Sequence, residues 1–290
     1  MRPKLVVLAM FAFVTVACAD APTGARSDPS GSGIVHPSGA DQVVLRVALD
    51  GGFVAPETIF ARMPSFSLMG DGTIIEPGAQ DEIYPGQAVP PLLVRTISED
   101  GIQAILGAAT DAGLDHDETL GDLGSVGVSD MPTTIFTLSA NGGTHRVEAY
   151  ALGMPGDERP EGMSQETWAA RQALSSFVEQ LGRLPAWLPV GSIGAEAPYD
   201  APGAALLVRA YRGDPGLSQE PVAWPLGTGL AGFGSADPSG LDARCGTVTG
   251  SDWAALRPAA QDANTLTPWT SDGSRYGIAF RPLLPDQNDC

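Results

Sequence analysis

The densest group of side chains able to bind a metal or move protons is Asp115-His116-Asp117-Glu118, with Asp111 and Asp122 close by. A calcium loop of the EF-hand type needs oxygen ligands at alternating positions and a glycine at the sixth. Counted from Asp115, the third, fifth and sixth places hold Asp117, Thr119 and Leu120, so the pattern fails. Zinc wants His or Cys in spaced pairs, and the other histidines, His36 and His145, stand apart in the chain. The stretch therefore reads as a solvated acidic loop, with Asp115, His116 and Asp117 as weak metal candidates and no cofactor expected. Nucleophilic catalysis through a G-x-S-x-G elbow has no matching serine, and no G-x-x-x-x-G-K-[ST] phosphate loop occurs. Gly227-Thr228-Gly229-Leu230-Ala231-Gly232 has the letters of a dinucleotide fingerprint, but no clear strand precedes it and Pro221 and Pro225 crowd it. It reads as a loop. A carboxylate pair is defined by distance in space, and 34 acidic residues are too many for sequence to locate one.

The first residues, Met1-Arg2-Pro3-Lys4, give a positive end to an apolar run over residues 5–17, the arrangement of a secretory signal. That run is short of the roughly 20 apolar residues of a spanning helix. It ends in Val14-Thr15-Val16-Ala17-Cys18, small or aliphatic residues leading to alanine and then cysteine. This resembles the lipobox of bacterial lipoprotein signals, with Thr15 where leucine is commonest. The resemblance implies cleavage before Cys18, lipid on that cysteine, and attachment to the extracytoplasmic face of the cell membrane. The alternative is an ordinary signal peptide cut at an A-x-A-like site over Ala17-Cys18-Ala19. Residues 18–41 are Ser, Gly, Pro and Ala without periodicity, the composition of a disordered tether.

The formal charge is −18, and loss of Arg2 and Lys4 with the signal leaves 14 cationic against 34 acidic side chains, or −20. Lys4 is the only lysine. An acidic chain without a basic cluster argues against nucleic acid and against polybasic docking to anionic lipid.

These residues must be positioned by an α+β fold, expected as small antiparallel sheets each packed by one or two helices. In the first domain, residues 42–183, residues 42–49 read as a strand that turns at Asp50-Gly51-Gly52-Phe53, and residues 65–75 as a hairpin with its tip at Gly70-Asp71-Gly72. Ser98 caps a helix with Ile102, Ile105, Leu106 and Ala109 on one face, stopped by Gly113. Residues 133–138 and 145–152 alternate around Asn141-Gly142-Gly143, the strongest hairpin signal in the chain. Ser164 caps a second helix with Trp168, Leu174, Phe177, Val178 and Leu181 on a shared face. Residues 184–202 carry four prolines and mark a linker. The second, smaller domain, 203–290, holds a strand over 204–211, a helix capped by Ser251 with Trp253, Leu256 and Ala260 inward, and a hairpin tipped at Asp272-Gly273. The two hairpins admit a pair of similar units, although every tight hairpin favours Asn-Gly or Asp-Gly.

With Cys18 given to lipid, Cys245 and Cys290 remain, and an even remainder in an oxidising compartment points to a disulfide. Closing a loop of some 45 residues stabilises by roughly 3 to 4 kcal/mol in the chain-entropy model. The competing reading, a reactive thiol, needs a base and an electropositive setting, and neither is visible. Trp187, Trp224 and Trp269 stand beside prolines, where an aromatic surface for a peptide or glycan could form, against the plainer use of core packing.

Taken together over residues 43–181, the strand, Gly51-Gly52-Phe53, the inward-facing helix, the Thr-rich strand, the Gly-tipped hairpin and the closing helix resemble the emfourin family, small inhibitors of thermolysin-like metalloproteases. This chain departs from that plan by an insertion over 54–91 and by its second domain. Gly51, Gly52 and Phe53 are the matching positions, carried over as fold determinants; an inhibitory role is what the likeness implies. The expected function is a non-enzymatic, lipid-anchored module binding a protein or glycan partner. The alternatives are an exported hydrolase using acidic residues and a structural envelope lipoprotein. Cys18→Ala should release the chain from the membrane fraction and abolish its lipid mass shift; retention in membranes without lipid would refute the anchor.

Overall fold

Alternating apolar residues over 43–51 and 132–150 build the middle of the first sheet. The computed structural model describes residues 33–80, 82–154, 156, 158–237 and 242–290; the signal segment, Cys18 and the start of the tether lie outside them. Strand β1 (Val43–Gly51) pairs antiparallel with β2 (Phe66–Met69) on one side and β6 (Pro132–Ala140) on the other. β2 turns at Gly70-Asp71-Gly72 into β3 (Thr73–Pro77), which pairs with β4 (Leu92–Thr96). β6 turns into β7 (Gly143–Tyr150) through Asn141 and Gly142, whose φ values of 51° and 79° are those of a two-residue type I′ turn. β5 (Glu118–Leu120) runs parallel to β7, and β8 (Ala197–Pro198), from the Pro-rich stretch read as a linker, pairs with β4. The order is β5-β7-β6-β1-β2-β3-β4-β8.

Helices α2 (Glu99–Asp111) and α3 (Gln165–Leu181) cover one face, and a single turn, α4 (Leu184–Trp187), follows α3. Leu45, Val47, Phe136 and Leu138 from the sheet meet Ile102, Ile105 and Leu106 of α2 and Leu174, Phe177 and Leu181 of α3. Each such side chain contributes about 1.5–3 kcal/mol by leaving water. Ser164 accepts a hydrogen bond from the Thr167 amide at the start of α3, as its N-cap position demands. On the sheet-facing side of α3 one position departs from the sequence reading: Trp168 is half-buried, and Arg171 is 2 % exposed. The reason is backbone accounting. The ends of β5 and β7 bring the Leu120, Tyr150, Ala151 and Met154 carbonyls together, and the Arg171 guanidinium donates to all four at 2.8–3.2 Å. Burial pushes its pKa down from the ordinary arginine value.

In the second sheet, β9 (Gly203–Ala210) lies between β12 (Ala243–Thr249) and β14 (Ser274–Pro282), with β10 (Val222–Ala223), β11 (Ser235–Ala236) and β13 (Trp269–Ser271) outside them. The order is β10-β13-β14-β9-β12-β11. α5 (Gly250–Asp262) sets Trp253, Leu256 and Ala260 on one face against Leu206, Val208 and Phe280. On the other face Phe60, from α1 (Pro56–Ala61), packs against Leu207 and Cys245. The α+β class therefore holds. The sheets, at eight and six strands, are larger than the small ones expected, and each adds one parallel pair. The added strands β5, β8, β10 and β11 are two or three residues long, too short to show a period of two.

Both sheets belong to one compact unit, Gly33–Cys290. Residues 33–41, assigned by composition to the tether, lie against the first sheet and its helices. The Ile34 amide donates to Gln103, the Asn141 amide donates to the Val35 carbonyl, and His36 pairs with Glu99 at 3.2 Å. At the other end, Asp286 receives a bidentate pair from Arg46 of β1 at 2.7 Å, and Leu284 packs on Ile75 and Leu92. The Tyr199 hydroxyl donates to the Leu283 carbonyl, and burial pushes its pKa up to about 12. Among the described residues no helix is long and apolar enough to cross a membrane.

Arg171→Leu should lower unfolding stability by about 3 kcal/mol in urea titration, since it strands buried carbonyls, and Arg171→Lys should recover only part of that. A loss within about 0.5 kcal/mol, ordinary for a surface site, would contradict the account.

Candidate functional site

The Asp50-Gly51-Gly52-Phe53 turn predicted from sequence is a corner of unusual geometry. Gly51 and Gly52 both lie in the left-handed region, at φ 68° and 87°, where a Cβ is strained. Two hydrogen bonds hold the corner: the Phe53 amide donates to the Asp130 carbonyl at 3.0 Å, and Arg62 donates to the Gly51 carbonyl at 3.0 Å. Asp130 itself has φ 66°, so both strands of the corner are bent. Past this bend the Phe53 ring is 86 % exposed, and Leu49, Val54 and Ile59 beside it in the chain are exposed too. Gly51 and Gly52 thus turn the chain at this corner, whereas Phe53 contributes its backbone to it and leaves its side chain in solvent.

Behind the corner, α1 forms one wall of a cleft of about 650 Å³ whose floor is the face of β9 and β14 turned away from α5. It lies close to Phe53 in the chain because Ala55, Glu57, Thr58 and Arg62 line it. Glu57 and Arg209 form an ion pair across it. Apolar atoms of Met63, Leu266 and Ala279 complete it. Nothing in the sequence pointed to this grouping. Glu57 and Arg209 are 152 positions apart in the numbering, and no spacing rule links a short helix to a strand of another sheet.

The acidic loop does not assemble a site. His116 is exposed and pairs with Asp115 at 3.0 Å, which raises the imidazole pKa and lowers that of the carboxyl. Asp117 instead accepts from the Arg146 amide and approaches His145 at 3.8 Å. Among the described residues no group of three or more His, Cys, Asp or Glu could hold a metal ion, so Asp115, His116 and Asp117 are set aside as ligands. Gly227 to Gly232 is a loop ending in a single helical turn, Leu230–Gly232. Glu76 and Glu196 converge on Arg95, at 3.1 and 3.3 Å. Burial pushes the Glu76 carboxyl up, Arg95 opposes the shift, and the guanidinium between the two acids makes them a structural clamp.

The tryptophans form no binding platform. Trp269 is fully buried, Trp224 meets it edge-on at 6.0 Å, and Trp187 is half-buried with its indole N–H donating to the Gln180 carbonyl. Trp224 and Trp269 are in the core beside α5, the plainer of the two uses weighed for them. Cys245 and Cys290 lie at disulfide distance with Cα atoms 6.0 Å apart, tying the chain end to β12. Cys18 is outside the described residues.

No family model matches the chain, and neither a curated protein nor a solved structure is found similar to it.

Proposed function

We propose that the chain is an exported binding module, anchored by lipid on Cys18 to the extracytoplasmic face of the membrane, that docks a protein partner through the Gly51-Gly52-Phe53 corner. The observation that carries this reading is the exposed Phe53 ring on a backbone braced by Arg62 and Asp130. A large apolar side chain held in water costs free energy unless a partner covers it, and aromatic anchors in pockets supply much of the energy of protein interfaces. Bracing matters as much as exposure. A corner ordered before binding loses little conformational entropy on docking. With Trp224 and Trp269 in the core, a glycan platform lacks its stacking rings, so a protein partner is the occupant proposed.

Inhibition of a thermolysin-like metalloprotease is the sharpest form of this proposal, and its support is the emfourin resemblance at Gly51, Gly52 and Phe53. Among its described lining residues the cleft holds one carboxylate, Glu57, already paired with Arg209. A hydrolase built on acidic residues wants two carboxylates converging on open space, which gives the binding reading its preference.

The test is a capture from native membranes with the parent chain and with Phe53→Ala, followed by titration of a thermolysin-like protease with both. Loss of an aromatic anchor should weaken capture or inhibition by about 30-fold or more, corresponding to about 2 kcal/mol, with unfolding stability unchanged. If Phe53→Ala binds as tightly as the parent, or if the parent captures nothing and leaves the protease untouched, the proposal fails.

A further inference from the structure

The cleft behind α1 has a charge pattern that selects a ligand. In a chain of formal charge −18, its described lining carries two guanidinium groups, Arg62 and Arg209, against one carboxylate, Glu57. Glu57 neutralises Arg209 by direct pairing. Arg62 uses one Nη1 donor on the Gly51 carbonyl, and no carboxylate among the described residues comes within 4.0 Å of its guanidinium. Among the described lining residues one positive charge is thus left uncompensated, and its remaining donors are open to an acceptor, since a guanidinium has five.

Space and apolar surface stand beside that charge. Gly277 of β14 is the register partner of Arg209 on β9 and lines the cleft floor. A Cβ built there would meet nothing nearer than Arg209 Cγ at 4.0 Å, so the missing side chain leaves room directly in front of the arginine. The volume of about 650 Å³ falls within the range of small-molecule sites. Met63, Leu266 and Ala279 offer apolar contact alongside.

We infer that this cleft binds a small monoanionic amphiphile, a carboxylate on an apolar body, with the carboxylate on Arg62 and the apolar part over Gly277 and Ala279. The single net charge decides for a monoanion, because a dianionic head such as a phosphate monoester would face the Glu57 carboxylate with only one cation unspent. Arginine matches a carboxylate in a planar, two-bonded geometry. This site shares Arg62 with the corner that carries Phe53, but the docking proposed for Phe53 needs no occupant in the cleft.

The experiment uses the full-length Cys18→Ala chain, free of lipid, with a dansyl-labelled undecanoic acid as the fluorescent probe and its methyl ester as the uncharged control. The acid should bind saturably at one site and the ester about tenfold or more weakly, the loss expected for one charge-assisted hydrogen-bonded pair. Gly277→Val, a residue type suited to a strand, should fill the floor and remove binding. Arg62→Gln should weaken it about tenfold, and Arg275→Gln, at an exposed strand position outside the cleft, should leave it unchanged. Near-ultraviolet circular dichroism checks that each variant keeps its fold, and the acid-to-ester ratio on the parent stands whatever the variants do. Absence of saturable binding, equal affinity for acid and ester, or parent-like binding by a folded Gly277→Val would overturn the inference.

Discussion

The arrangement of the molecule turns on the two left-handed glycines that end β1. β1 is a central strand of the first sheet, and a residue with a Cβ would tend to carry it straight on past β6. Gly51 and Gly52 bend the chain away from the sheet instead. The bend places α1 against the second sheet, where Phe60 packs on Leu207 and Cys245 and Arg281 stacks over the Phe60 ring at 5.1 Å from its centroid. One local backbone requirement therefore has three results: an exposed Phe53, a helix bridging to the second sheet, and a cleft beneath that helix. Arg62 joins the first to the third, because the side chain that steadies the Gly51 carbonyl also lines the cleft.

The scarcity of cations gives the remaining arginines structural weight. Arg46 holds the C-terminal segment to β1, Arg95 clamps Glu76 to Glu196 beside β8, and Arg257 pairs with Asp200. Arg171 serves carbonyls rather than carboxylates. Exposed ion pairs contribute little to stability, but Arg46, Asp286, Arg95 and Glu76 are each mostly shielded from water and join segments distant in sequence. The Cys245–Cys290 link and the Arg46–Asp286 pair act on the same C-terminal stretch. The chain end is in this way a structural element spanning both sheets.

What sequence could show follows from which signals are local. The α+β class, the Asn141-Gly142 and Asp272-Gly273 turns, and the faces of α2 and α5 were legible because turn chemistry and helical periodicity are written within a few residues. Asp272 and Gly273 have φ of 51° and 76°, matching Asn141 and Gly142. The hairpins nevertheless join their sheets differently, β6 through its first strand and β14 through its second, which no local signal encodes. Arg171 was missed because a charge on an apolar face looks like an error until the carbonyls it serves are seen. Neighbouring prolines left a surface use open for Trp224 and Trp269 beside the favoured core packing, and their burial rests on contacts with α5 and β14 that no local signal encodes. Of the corner proposed for docking, Gly51-Gly52 was visible as a turn, while the exposure of Phe53 and the cleft behind it arise only in tertiary structure.

The central claim is that Phe53 is the contact to a partner outside the membrane. It is tested most directly by placing a photo-crosslinking phenylalanine analogue at position 53, or at the fully exposed Val190, and irradiating intact cells. The account predicts one discrete adduct from position 53 and none from position 190. No adduct from position 53, or the same adduct from both positions, would contradict it.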